Sequence, residues 1–152
     1  MSKNSINTPH VAIAIDGPAA SGKSTLARKI AERLGLVMVN SGTMYRAVTW
    51  RVLQEKIDPA DLTAVTELLD RIQIHCGENG VTSTCTIDGI DPESELRSQE
   101  INNNVSAISA IPAVRKLLVN LQRNYLDHTS IIMEGRDIGS VVFPNTPFKI
   151  YV

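Results

Sequence analysis

Nine consecutive residues, Gly17-Pro18-Ala19-Ala20-Ser21-Gly22-Lys23-Ser24-Thr25, have the types and spacing needed to hold a polyphosphate. Gly17 and Gly22 let the backbone curl until successive N–H groups point inward at phosphate oxygens. Lys23 then reaches the β and γ phosphates of a nucleoside triphosphate, and the Ser24 hydroxyl offers a ligand to Mg²⁺. A glycine-rich turn that binds nothing could fill the same fixed positions. The flanks decide for a phosphate-binding loop, because apolar Val11 to Ile15 precedes it and a helical pattern follows.

A second phosphate has its own candidates. Arg46 and Arg136 each offer a planar guanidinium whose paired donors match phosphate oxygens. Each could equally be a solvated surface arginine, and it is their occurrence beside a P-loop that favours the clamp. Ser41 could add a hydroxyl donor to the same phosphate, its structural alternative being to cap the helix that follows.

These side chains need elements to carry them. Leu26, Ile30 and Leu34 recur every four residues beside Ala27 and Ala31, which predicts a helix packed on a sheet and closed by Gly35. Leu36 to Val39 reads as a parallel strand buried on both faces. Met44, Val48 and Val52 then mark the inner stripe of another helix, with Tyr45, Arg46 and Trp50 off it. Asp58 is expected to cap a further helix, with Pro59 at its first position and Leu62, Val65, Leu68, Leu69 and Ile72 along it.

Alternation from Ile72 to Cys76, a turn at Gly77 to Gly80, alternation again from Val81 to Ile87 and a second turn at Asp88-Gly89 predict an antiparallel hairpin inserted on the α/β core. Glu93, Glu95, Arg97 and Glu100 form a solvated stretch. Pro112 opens a helix with Val114, Leu117, Leu118, Leu121 and Tyr125 inward. Ile131 to Met133 and Phe148 to Val152 are the third and fourth strands. Strands alternating with helices around a P-loop imply a three-layer α/β/α fold with a parallel sheet, whose ligands sit beyond the C-terminal strand ends. Asp16, Asn40 to Arg46 and Glu134 to Asp137 all fall at those ends, so separate weak signals become one site.

Composition excludes several classes. A formal net charge of −1 provides no basic footprint for nucleic acid or an anionic membrane. No stretch approaches the ~20 apolar residues of a membrane span, and Met1 to His10 lacks the layout of a secretory leader and reads as a disordered tail. Cys76 and Cys85 are read as buried or half-buried free thiols, and His10, His75 and His128 as surface residues. A cytoplasmic globular protein is expected.

Five segments together carry a family resemblance. They are Ile15-Asp16-Gly17-Pro18 running into the P-loop, Asn40 to Arg46, Leu96-Arg97-Ser98-Gln99-Glu100, Pro112-Ala113-Val114-Arg115 and Gly135-Arg136-Asp137-Ile138-Gly139. In this order the chain resembles bacterial-type cytidylate kinases from Val11 to Val152. The resemblance implies a P-loop nucleoside monophosphate kinase domain over residues 11–152 that phosphorylates CMP and dCMP from ATP with Mg²⁺, as a monomer. Its core would be residues 11–40 and 128–152, with an acceptor-binding region at about 41–127.

The resemblance assigns Gly17 to Thr25 to the ATP phosphates, with Ser24 on the metal and Lys23 and Arg136 as catalytic residues. It assigns Ser41, Arg46 and Arg136 to the CMP phosphate, and Ser106, Arg115 and Asp137 to cytosine. That chemistry suits the base: a carboxylate accepts from the 4-amino group, a guanidinium donates to N3 and O2, and uracil would face the carboxylate badly. Such kinases continue through an arginine-rich lid and a further strand, which resemble nothing in this sequence. The chain therefore reads as a truncated member with at most trace activity. The rival expectations are a P-loop kinase for another small acceptor and a nucleotide-binding fragment without turnover.

Overall fold

Apolar runs without alternation belong to strands covered on both faces, and such runs build the middle of the sheet. The computed structural model describes residues 9–152, so most of the expected N-terminal tail lies outside the described residues. Strand β1 is Ala12–Asp16, β2 Val37–Asn40, β3 Ile74–Asn79, β4 Thr82–Ile87, β5 Ile131–Gly135 and β6 Lys149–Tyr151. The strand order is β3-β4-β2-β5-β1-β6. All neighbours run parallel except β3 and β4. This is the P-loop α/β fold, with β5 between β1 and β2.

Helix α1, Lys23–Leu34, leaves the P-loop and buries Ala27 and Ala31. Two methyl-sized side chains let the helix lie close on β1, β2 and β5, and Leu34 is pushed out to 62% exposure rather than completing the expected stripe. Helix α2, Ser41–Gln54, is capped by Asn40, whose Oδ1 accepts from Thr43 N at 3.2 Å, so Ser41 is not the cap. Its burial is wider than the Met44-Val48-Val52 stripe. Trp50, expected off the stripe, is 7% exposed, because α4, Gln99–Ser109, packs on α2 from a second side.

Helix α3 runs Leu62–Arg71 and begins later than expected. Asp61 is its cap, accepting from Ala64 N at 3.0 Å, while Asp58 closes the preceding turn on Ala60 N. Leu62, now in the first turn, is exposed, and Val65 and Leu68 carry the packing. Helix α5, Pro112–Asn124, starts on Pro112 as expected and buries Val114, Leu118 and Gln122.

The β3–β4 hairpin turns at Gly80-Val81, so Gly77 and Glu78 are strand residues. It is also no free-standing insertion, because Met38 N donates to Val81 O at 2.7 Å and Met38 pairs with Thr82. One core fills the space between α2, α3, α5 and the hairpin, and two more lie on the two faces of the central strands. His10 is exposed, with its Nδ1 2.7 Å from Leu126 O.

Candidate active site

Every strand that carries a predicted site residue ends at the same edge of the sheet. β1 runs into the P-loop, β2 into Ser41 and Arg46 on α2, and β5 into Arg136 and Asp137. The register Asn40↔Glu134 and Asp16↔Gly135 puts these three exits side by side.

A cleft of about 570 Å³ opens there. Ala19 and Lys23 of the P-loop line it together with Ser41, Arg46, Ser106, Arg115, Arg136 and Asp137, so residues separated by over a hundred positions share one cavity. Gly17 and Pro18 line a neighbouring cleft, of which Arg136 and Asp137 form the shared wall. Ala20, Ser21, Gly22, Ser24 and Thr25 line neither, standing on the loop and the first turn of α1. Gly22, at φ +90°, makes the turn from loop to helix, a conformation other residues enter only with strain. Lys23 Nζ donates to Pro18 O at 2.9 Å, which draws its ammonium against the loop backbone.

The charges decide what this cleft suits. Among the described residues the ion pairs within 4.0 Å are Arg51–Glu55 and Arg51–Asp88, both away from the cleft. Lys23, Arg46, Arg115 and Arg136 therefore line it with no paired carboxylate, a concentration of cations that favours a polyanion. Arg46 is aimed by Nη1 alone, which donates to Leu96 O at 2.9 Å and Asn102 Oδ1 at 2.6 Å. Among the described residues its Nε and Nη2 stay open to a ligand.

The turn after β5 is held from the P-loop side. Asp16 accepts from Ile138 N at 2.7 Å and Gly139 N at 2.8 Å, so one carboxylate pins the wide helical turn Ile138–Val142. Asp137 precedes that turn in the left-handed region, at φ 62°. Such a conformation persists where surrounding bonds fix it, and here it presents Asp137 to the cleft. Tyr45 stands near both Asp137 and Arg115. Burial raises its phenol above the ordinary value, Arg115 pulling it down and Asp137 pushing it up.

Ser41 and Gly135 are in tight register. The Ser41 hydroxyl donates to Glu134 O at 3.1 Å, and a Cβ on Gly135 would overlap Ser41 Oγ. That proton is therefore engaged, and Ser41 would have to turn to donate to a phosphate.

One cleft residue, Gln122, escaped the sequence reading, and Glu134, expected at the strand end without a role, stands beside it in the lining. Glu134 is 4% exposed with Oε2 unpartnered, and Gln122 is 1% exposed with Nε2 unpartnered. Buried polar atoms without partners are rare, and these two line a ligand-sized cavity. The signal for Gln122 was a polar residue eight places after Val114 on an apolar helix face.

The family pattern described as cytidylate kinase matches residues 13–152. The chain belongs to the cytidylate kinase family. A cytidylate kinase of Desulforamulus reducens is 42% identical over 147 residues, covering 95% of this chain and 65% of that protein. One from Clostridium botulinum is 40% identical over 143 residues, covering 94% and 64%. One from Solibacter usitatus is 42% identical over 142 residues, covering 93% and 60%. The chain thus spans under two thirds of the length of these cytidylate kinases.

Proposed function

We propose that this chain carries the machinery that transfers a phosphoryl group from MgATP to CMP or dCMP, yielding ADP and CDP or dCDP. The observation that supports it is the cleft in which Lys23, Arg46, Arg115 and Arg136 meet without a carboxylate ion pair. In this reading residues 11–40 and 128–152 form the phosphate-holding core and residues 41–127 the acceptor region.

Gly17 to Thr25 cradle the ATP phosphates, and Lys23 offsets the charge that grows on the transferred group. Arg46 and Arg136 bind the acceptor phosphate, with Ser41 beside them. Ser106, Arg115 and Asp137 face the base, where Asp137 accepts from the cytosine amino group and Arg115 donates to the ring acceptors. The acceptor phosphate is already an anionic nucleophile, so no general base is required. Catalysis reduces to alignment and charge.

The donor set suits Mg²⁺, which takes only one or two protein oxygens and completes its shell from phosphates and water. Ser24 and the unpartnered Oε2 of Glu134, on the strand next to β1, are the residues that would hold it. When bound, the ion screens phosphate charge.

Equilibrium titration with CMP, cytidine, UMP and ATP, run beside an assay of ATP-dependent phosphorylation, tests the reading. CMP is expected to bind at least about tenfold more tightly than cytidine, given the 1.5–3 kcal/mol of a charge-assisted contact. CMP should also bind more tightly than UMP. Equal affinity for CMP and cytidine would overturn it.

A further inference from the structure

The two cysteines of the chain face each other across the β3–β4 hairpin, in the register Cys76↔Cys85. The Gly80-Val81 loop is two residues long, with Gly80 at φ +68°, so the closing pair Asn79↔Thr82 is a hydrogen-bonded one. Hydrogen-bonded and non-hydrogen-bonded pairs alternate up an antiparallel ladder. Counting from the turn, Cys76↔Cys85 is non-hydrogen-bonded, the arrangement that brings Cα atoms to about 4.5 Å and side chains closest together. That separation falls within the range a disulfide spans, about 4.4–6.8 Å.

We propose that Cys76 and Cys85 form a reversible cross-strand disulfide by thiol–disulfide exchange with a low-molecular-weight disulfide. Both thiols are free, and they differ in access: Cys76 is partly exposed and Cys85 is 7% exposed. Cys76 is the entry point. The neighbouring Cys85 thiol also lowers the pKa of Cys76 while its own is raised, so the more accessible sulfur is the readier thiolate.

The Cys76 thiolate attacks one sulfur of the reagent, the reagent's S–S bond breaks, and a first small thiolate leaves and takes up a proton. Cys85 then loses its proton and attacks the Cys76 sulfur, expelling the second small thiol. Two protein thiols are oxidised to one disulfide as one small disulfide is reduced to two thiols. No part of the phosphate-binding cleft takes part, since neither cysteine lines it.

The test treats the folded 152-residue protein with oxidised glutathione, blocks residual thiols with N-ethylmaleimide, and reads intact mass and peptide map. An unfolded sample serves as the reagent control. The expected product is lighter by two hydrogens than the unblocked reduced protein, carries neither glutathione nor maleimide, and shows a 76–85 cross-link that dithiothreitol removes. Cys85→Ser should instead stop at a glutathione adduct on Cys76. Cys76→Ser should react at least about tenfold more slowly than Cys85→Ser, because only the buried thiol remains. Wild-type protein that accumulates a glutathione adduct, or stays reduced while the unfolded sample reacts, would overturn the proposal.

Discussion

Replacing Asp16 by Asn tests whether the strand entering the P-loop also shapes the acceptor side of the cleft. The Asp16 carboxylate accepts two amide hydrogens, from Ile138 at 2.7 Å and Gly139 at 2.8 Å. Asn keeps one acceptor oxygen and turns an NH₂ toward the other amide. One charge-assisted bond, worth about 1.5–3 kcal/mol, is lost and the other becomes an ordinary neutral bond. Partial exposure of Asp16 trims the sum, leaving about 2 kcal/mol less hold on the turn. Asp137, at φ 62°, then has less to keep it in its strained conformation. If that loss appears as a smaller binding-competent population, CMP affinity falls by roughly tenfold to thirtyfold. Calorimetric titration with CMP and ATP, together with amide exchange at Ile138 and Gly139, reads both ends of the argument. Faster exchange at the two amides with CMP affinity unchanged to within about twofold would refute it, because the clamp would then be purely structural.

Four further substitutions give separate readings. Lys23→Ala, made in a version extended to the length of the related cytidylate kinases, should leave the urea unfolding curve in place and lower turnover by about two to three orders of magnitude, and retention of more than about a tenth of the rate would remove Lys23 from the reaction. Arg46→Ala should weaken CMP by about 1.5–3 kcal/mol while leaving cytidine and ATP nearly untouched in parallel titrations. Gly135→Ala forces a Cβ onto Ser41 Oγ and should destabilise by about 1–3 kcal/mol in denaturant unfolding, with Ser41→Gly on the same background restoring much of it. Asp88 is held below the usual aspartate range first by its bond from the Gln73 amide and then by Arg51. Because the folded value is depressed, its contribution is present above the unfolded pKa of about 3.9 and lost as pH falls through the folded one. Asp88→Asn should therefore flatten the acid limb of thermal stability, and an unchanged limb would count against that role.

Residues whose chemistry demands fixed local spacing are legible in the sequence alone. The P-loop, Pro112 at the start of α5 and the apolar strands β2 and β5 all depend on neighbours in sequence. What escaped depends on neighbours in space. Trp50 is buried because α4 arrives on a second face of α2, which no periodicity within α2 reports. Leu34 is exposed because α1 sits down on Ala27 and Ala31. Asp58 and Asp61 are equally good caps in isolation, and the turn Asp58 makes with Ala60 N gives the helix to Asp61. Arg46 was named as a phosphate ligand, but its aim comes from Leu96 and Asn102, about fifty residues away. Gln122 emerges only when burial is set against the absence of partners among the described residues, and the same test gives Glu134, already placed at the strand end by sequence, its unpartnered Oε2.

The seam between the hairpin and the main sheet has a mechanical consequence. Six register pairs bind β3 to β4, whereas a single pair, Met38↔Thr82, binds β4 to β2. The hairpin is thus stiff within itself and fastened along one edge by one rung. Beyond that rung it is held by Tyr125, whose hydroxyl donates to Gly77 O at 3.0 Å, by the Arg51–Asp88 ion pair just past β4, and by the apolar core that Cys85 and Ile87 share with Met44 and Val48. A paddle attached this way can slide and tilt as a unit without breaking its own ladder. None of the residues that line the phosphate-binding cleft lies on β3 or β4, so a tilt of the paddle leaves the cleft wall alone, and the P-loop stays pinned through Asp16 to the turn after β5.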